Sequence, residues 1–242
     1  FGNYVFNDAL KGNWVEALTT YCANYYYKEL ELGAEEARDH RENASLKYSI
    51  RVSKDKDYPV GKFVTKTNQF DNEIGYTKGS MVFHQLRQTI GDEAFFTGLK
   101  ELVIRFGGKY AEWEDLQKVF EDVSKKKLGW FFSQWIDQKG APELKLENIY
   151  FLVAEKGYLV KADIVQPGDV FKLKLPVHID LGKETKTLEV DIDKQRETFE
   201  LTVDKIPLSI SIDPDYHLFR RIAPEDITPC LNAFLEDEEN DT

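Results

Sequence analysis

The hydrophobic period of this sequence changes near Ala141-Pro142, and this change constrains the fold more than any other feature. Upstream, apolar residues recur every three or four positions, which is the period of a helix that buries one face. The helical segments are 13–27, 77–90, 92–106, 112–124 and 128–138. Downstream, apolar and polar residues alternate, which is the period of half-buried strands. The sequence therefore predicts a multidomain α and β fold, in which helices are followed by an antiparallel, immunoglobulin-like β-sandwich.

The same patterns divide the 242 residues into three parts. Clear strands are predicted at 158–164, 171–177, 188–192, 199–203 and 208–212, and further strands near 144–151 and 217–222. The stretch 58–72 is expected to be irregular because it contains Pro59 and Gly61. We predict a helical domain over 1–142, a β-sandwich domain over 143–222 and an acidic C-terminal tail over 223–242.

Composition excludes some classes of function. The formal net charge of −11 argues against nucleic-acid binding, which requires a basic face. No run of about 18 apolar residues is present, so we expect no membrane span in this segment. The two cysteines, Cys22 and Cys230, lie far apart and are expected to be free thiols.

Glu16 is the unusual residue of the first helical segment. Trp14, Leu18, Tyr21 and Tyr25 lie on one face of that helix, and no lysine or arginine lies within four positions of Glu16. Because Asn13 is a plausible N-cap, Glu16 could complete a capping box by accepting from the Asn13 N–H. Alternatively, it could be a metal ligand, since a bound divalent ion compensates a buried carboxylate. These residues alone favour the capping box.

Tyr76 is the second candidate. It follows Gly75 and is expected to lie just before the helix over 77–90. A neutral phenol at that place could donate a hydrogen bond to a developing oxyanion. The alternative is a tyrosine that only packs at a helix entrance, and Tyr76 considered alone favours packing.

Read together, the two stretches carry a family resemblance. The motifs are Gly2-Asn3-x-Val5, Gly12-Asn13-Trp14-Val15-Glu16-Ala17-Leu18-Thr19-Thr20-Tyr21, Gly75-Tyr76-Thr77-Lys78-Gly79-Ser80-Met81-Val82, Ile90-Gly91-Asp92-Glu93-x-Phe95, Asp115-Leu116, and Phe131-Phe132-x-x-Trp135 with Gly140-x-Pro142. In this order they resemble the aminopeptidase N family of zinc metallopeptidases, the gluzincins. The resemblance covers about 1–142. It implies the helical C-terminal half of a thermolysin-like catalytic domain, followed by that family's β-sandwich.

The resemblance also implies roles. Glu16 matches the glutamate that is the third zinc ligand, and Tyr76 matches the tyrosine that stabilises the tetrahedral intermediate. The first two ligands and the general base come in that family from a His-Glu-x-x-His helix. That motif is absent, because His40, His84, His178 and His217 do not have its spacing.

The implied function is that of a hydrolase fragment. The chain is expected to be the downstream part of a zinc-dependent aminopeptidase whose peptide substrate is attacked by metal-activated water. Its further partner would be the upstream part of the same polypeptide, and this chain alone is expected to be inactive and to retain no zinc. The alternative is a non-catalytic protein-binding module of the same ancestry.

Overall fold

The structure, a computed structural model, describes residues 4–223 and divides them into two compact units. The helical unit contains residues 4–140 together with 222 and 223, and the sheet unit is Ala141–Arg221. The fold class predicted from the sequence, helices followed by antiparallel sheets, is confirmed.

Two long helices of the helical unit carry the candidate residues. The Glu16 helix consists of Trp14–Thr20, a π-helical turn over Tyr21–Tyr26, and Tyr27–Glu31. The Tyr76 helix consists of Gln69–Asn72, a π-helical turn over Glu73–Lys78, and Gly79–Ile90. The other helical segments are Ala9–Lys11, Ala34–Arg51, Val60–Lys62, Asp92–Phe106, Trp113–Ser124, Gly129–Phe132 and Ser133–Asp137.

The Tyr76 helix begins earlier than the sequence predicts. Its first residue is Gln69, whereas the helix was expected at 77 and the preceding stretch was expected to be irregular. The reason is a cap: the Asn68 side chain accepts a hydrogen bond from the Asp71 N–H at 2.8 Å. The Asp71 carboxylate in turn accepts from the Thr67 N–H at 2.9 Å. Tyr76 therefore lies within a helix and not at its entrance.

Aromatic side chains form the core of the helical unit. The Glu16 helix contributes the fully buried Trp14, Tyr21 and Tyr25, which were predicted to share one face. The rings of Tyr21 and Phe95 pack edge to face with centroids 5.5 Å apart. This packing fixes the Glu16 helix against its neighbours, so that the backbone that carries Glu16 is rigidly placed.

The sheet unit consists of two antiparallel three-stranded sheets. The strands are β1 (Lys145–Val153), β2 (Tyr158–Val165), β3 (Leu173–Asp180), β4 (Thr185–Ile192), β5 (Arg196–Val203) and β6 (Ser209–Ile212). One sheet has the order β1-β2-β5 and the other β4-β3-β6. Val160 and Val203 of the first sheet pack in one buried cluster with Ile179 of the second. The two layers thus share a core, as a β-sandwich does.

A strand predicted near 217–222 is wrong. Those residues form only an isolated bridge, between Arg221 and Glu143. Asp213 causes the difference, because its buried carboxylate accepts hydrogen bonds from the N–H groups of His217 and Leu218, both at 2.9 Å. These bonds turn the chain where a strand would have continued.

Some predictions concern residues outside the described range. The Gly2-Asn3 motif, Cys230 and the acidic tail after residue 223 lie there. Within the described range, Cys22 is a half-buried free thiol, and burial raises the pKa of that thiol. Among residues 4–223, none of the helices has the length and the apolar character that crossing a bilayer would require.

Candidate active site

The start of the Glu16 helix is held by Asn13 and Phe63. The Asn13 side chain accepts a hydrogen bond from the Glu16 N–H at 3.4 Å, which confirms Asn13 as the N-cap. The Asn13 N–H, however, donates to the Phe63 carbonyl at 2.8 Å. A capping box would require that same N–H for the Glu16 carboxylate. The capping box favoured by the local sequence is therefore not formed, and the half-buried Glu16 carboxylate is left for another role.

Phe63 also places Tyr76. Its buried ring lies edge to face against the Tyr76 ring, with centroids 5.5 Å apart. The contact depends on Gly75, because a Cβ at that position would lie 2.4 Å from the Phe63 ring. One residue thus orders the start of the Glu16 helix through its carbonyl and the phenol of Tyr76 through its ring.

A second glycine brings the two helices together. A Cβ on Gly79 would lie 2.8 Å from the Ala17 Cβ, closer than side-chain carbons approach one another. Ala17 follows Glu16, and Gly79 lies three residues after Tyr76. The absence of a side chain at Gly79 therefore permits the close helix approach that puts Glu16 and Tyr76 side by side.

The two candidate side chains interact electrostatically. Partial burial is the largest cause that raises the pKa of the Tyr76 phenol, and the negative charge of Glu16 with a hydrogen bond to its carboxylate raises it further. A phenol with a raised pKa is protonated at neutral pH, so Tyr76 is a hydrogen-bond donor there. The arrangement offers one carboxylate and one neutral donor at the same place.

Two further polar side chains near the Glu16 helix, His84 and Arg87, are buried in the core. Fully buried His84 packs edge to face on Tyr25, with ring centroids 4.9 Å apart. Arg87 is buried between the rings of Tyr26 and Phe96 and is ion-paired with Glu29 and Asp92, at 2.6 and 2.8 Å.

A metal was also expected from the sequence, and the described residues supply only part of a site for it. Within residues 4–223, no group of three or more histidine, cysteine, aspartate or glutamate side chains is placed to hold an ion. Glu16 fits a single ligand position, because its carboxylate is not used for capping and has no neighbouring cation in the sequence. A catalytic zinc needs three protein ligands, so the described residues do not fit a complete zinc site.

The sequence predicts Glu16 and Tyr76 as candidate site residues, but it does not predict the residues that position them. Phe63 lies in the stretch that was expected to be irregular, and a single aromatic residue there gives no periodic signal. Gly79 lies inside a helix, where a glycine that permits close packing looks like one that only weakens the helix.

The comparisons with known proteins identify the family. A model of the peptidase family M1 domain matches residues 1–135, which is more than half of the chain. The chain therefore belongs to peptidase family M1.

Individual relatives are aminopeptidases. Aminopeptidase 2, mitochondrial, of Saccharomyces cerevisiae is 26% identical over 189 residues, which cover 75% of this chain and 20% of that protein. Aminopeptidase N of Lactococcus lactis subsp. lactis is 36% identical over 80 residues, which cover 33% of this chain and 9% of that protein. The chain thus spans at most 20% of the length of these curated relatives.

A solved structure shares the fold. Aminopeptidase A of Legionella pneumophila, in complex with aspartic acid, matches 91% of this chain and 24% of its own chain with a TM-score of 0.62. The sequence identity is 16%, so this likeness concerns the fold alone.

Proposed function

We propose that this chain supplies the third zinc ligand, Glu16, and the oxyanion-stabilising tyrosine, Tyr76, of a zinc-dependent aminopeptidase that removes N-terminal residues from peptides. The observation that carries the proposal is the pairing of the two side chains. The Glu16 carboxylate is not engaged in capping and lies beside a phenol whose pKa is raised. Membership of peptidase family M1 supports a peptidase as the parent activity.

The roles of the two residues follow from their chemistry. A carboxylate oxygen is a common protein ligand of zinc. Glu16 presents one from a helix in which the residues on either side of it, Val15 and Ala17, are buried. The Tyr76 phenol donates one hydrogen bond, and its value for catalysis is greatest when the carbonyl oxygen of the substrate becomes negatively charged. Zinc, when bound, would lower the pKa of a water molecule and polarise the scissile carbonyl.

The rest of the centre would come from a His-Glu-x-x-His segment, which this sequence does not contain. The test therefore uses a polypeptide that carries that segment together with this chain. The variants are Tyr76→Phe and Glu16→Ala, and the measurements are kcat, KM and the zinc content. Tyr110→Phe and Glu35→Ala are matched controls, because both side chains are exposed.

We expect Tyr76→Phe to lower kcat on the order of 10²–10³-fold, about 3–4 kcal/mol, which is typical for the loss of one oxyanion donor. Its zinc content should be unchanged, because the phenol is not a ligand. Glu16→Ala should lose zinc and activity together. A Tyr76→Phe enzyme with nearly normal kcat would return Tyr76 to a packing role. If the longer polypeptide lacks zinc and peptidase activity altogether, the non-catalytic binding module becomes the better description.

A further inference from the structure

The π-helical turn that carries Tyr76 begins and ends with a buried ionisable side chain. Glu73 is its first residue and is 1% exposed, and Lys78 is its last and is 0% exposed. A buried charge costs several kcal/mol unless polar partners compensate it. Moving either side chain away from its polar partners would leave a buried charge without compensation. The partners of Glu73 and Lys78 therefore fix where the two ends of the turn lie.

Glu73 ties the start of the turn to a neighbouring helix. Its carboxylate accepts from the guanidinium of Arg51 at 2.8 Å, and Arg51 is the last residue of the helix Ala34–Arg51. The Thr77 hydroxyl donates to the other carboxylate oxygen at 2.6 Å, across the turn itself. These bonds fix both the position and the internal register of the turn.

Lys78 ties the end of the turn to two other places in the helical unit. Its ammonium donates a hydrogen bond to the Gly140 carbonyl at 2.6 Å. It also lies 5.9 Å from the centre of the ring of Tyr48, which is itself buried and donates to the Asp57 carboxylate. Lys78 is thus fully buried, with a backbone carbonyl among its partners.

We propose that Glu73 and Lys78 are positioning residues for Tyr76, which hold the π-helical turn in the register that points the phenol at the Glu16 carboxylate. Successive residues of an α-helix are separated by about 100° around the helix axis. A turn that slipped by one residue would therefore move the Tyr76 phenol away from Glu16. This inference rests on the proposed function of Tyr76 only for its consequence for catalysis, and the placement of the phenol can be measured without any activity.

The experiment measures the placement of the Tyr76 ring in this chain by NMR at one neutral pH, from the ¹³C signal of that ring and its nuclear Overhauser contact with the Phe63 ring, with Tyr76→Phe used to assign the signal. The test variants are Lys78→Met, Glu73→Gln and Thr77→Val. Lys126→Met and Glu189→Gln are matched controls. Lys126 donates to the Thr89 carbonyl at 2.7 Å, and Glu189 pairs with Lys174 at 2.6 Å, but both are exposed. Thermal unfolding of each variant reports whether it folds.

In the three test variants we expect the Tyr76 signal to shift and its contact with the Phe63 ring, whose centroid lies 5.5 Å away, to weaken, because the turn no longer holds the phenol in place. The controls should leave both the signal and the contact unchanged. Test variants that unfold cooperatively and keep both the signal and the contact would overturn the proposal. If Lys78→Met or Glu73→Gln does not fold, Thr77→Val decides the matter, since it removes only one hydroxyl.

A kinetic arm separates this inference from the proposed function. In the longer polypeptide with the His-Glu-x-x-His segment, Lys78→Met should lower kcat by about 10²-fold with little change in KM, as expected when a catalytic group is misplaced. If the Tyr76 signal shifts while Tyr76→Phe keeps a normal kcat, the positioning role stands and the catalytic role of Tyr76 fails. If Tyr76→Phe lowers kcat while the Tyr76 signal does not shift in any test variant, the catalytic role of Tyr76 stands and the positioning role of Glu73 and Lys78 fails.

Discussion

The placement of both candidate side chains, Glu16 and Tyr76, depends on one buried residue, Phe63. Phe63 accepts the Asn13 N–H with its carbonyl and packs its ring on Tyr76. Because the Asn13 N–H is already used, the Glu16 carboxylate is not drawn back into a capping box. The same residue therefore frees the candidate ligand and orients the candidate oxyanion donor.

Glycine at position 79 is predicted to be required for the approach of the two helices. Gly79→Ala would bring a Cβ within 2.8 Å of the Ala17 Cβ, and Ala17 is fixed to a packed helix. Overpacking costs about 1–3 kcal/mol, whereas alanine improves helix propensity over glycine by about 1 kcal/mol. We expect a net loss in the free energy of unfolding on the order of 1 kcal/mol, measured by urea denaturation.

Gly129→Ala is the matched control for this change. Its Cβ would have only the Gln117 amide nitrogen nearby, at 3.6 Å, which is an ordinary contact. Here the gain in helix propensity should dominate, so that stability stays equal or rises. If Gly79→Ala and Gly129→Ala had the same free energy of unfolding, the Ala17–Gly79 contact would relax without a cost in stability.

At the scale of elements, the sequence predicts the periodic parts of the fold and fails where a side chain overrides the period. The helix Asp92–Phe106 and strand β2 lie where their apolar spacing puts them. The π-helical turns are not predicted, because one extra residue in a turn leaves the apolar spacing nearly unchanged. Glu16 and Tyr76 could be named because their motifs carry the family resemblance, whereas their mutual placement requires long-range contacts that no local pattern contains.

Asp163 joins three strands of one sheet. Its carboxylate accepts from Asn148 of β1 at 2.7 Å and, from β5, Arg196 at 2.7 Å and Thr198 at 2.6 Å. Asn148 adopts a positive φ of 49° at the irregularity in β1, which points its amide at Asp163. The hydrogen bond from Thr198, followed by that from Asn148 and the contribution of Arg196, lowers the pKa of Asp163 to about 2.

This lowered pKa predicts an acid-labile sheet unit. A carboxyl group whose pKa is lower in the folded state contributes stability above its unfolded pKa of about 3.9. That contribution is lost as the pH falls through the folded value of about 2. We expect the thermal midpoint of the sheet unit to fall over this window, and Asp163→Asn to lower the midpoint at neutral pH and flatten the dependence. Asp191→Asn, at an exposed carboxylate 3.8 Å from Lys174, should change neither.

At the scale of the whole molecule, one ligand position cannot hold zinc tightly. Catalytic zinc sites use three protein ligands, and the described residues contain no group of three. We therefore expect this chain alone to bind no stoichiometric zinc and to cleave no aminoacyl substrate. Zinc analysis after dialysis measures the bound zinc, and the hydrolysis of a fluorogenic aminoacyl amide measures the peptidase activity. One tightly held zinc per chain would reveal zinc ligands other than Glu16.

The last prediction is that the sheet unit folds without the helical unit. Residues 141–221 contain both sheets, and the Arg221 N–H donates to the Pro142 carbonyl at 2.9 Å, so the two ends of this range are bonded to each other. The shared cluster around Val160 and Ile179 supplies a core of its own. We expect a polypeptide of this range to unfold in one cooperative thermal transition. Ile179→Ala should lower its midpoint by roughly 10 °C or more, since such truncations cost about 2–5 kcal/mol and each kcal/mol shifts a domain of this size by about 4–8 °C. A broad, non-cooperative melt that Ile179→Ala leaves unchanged would mean that the sheets require the helical unit to fold.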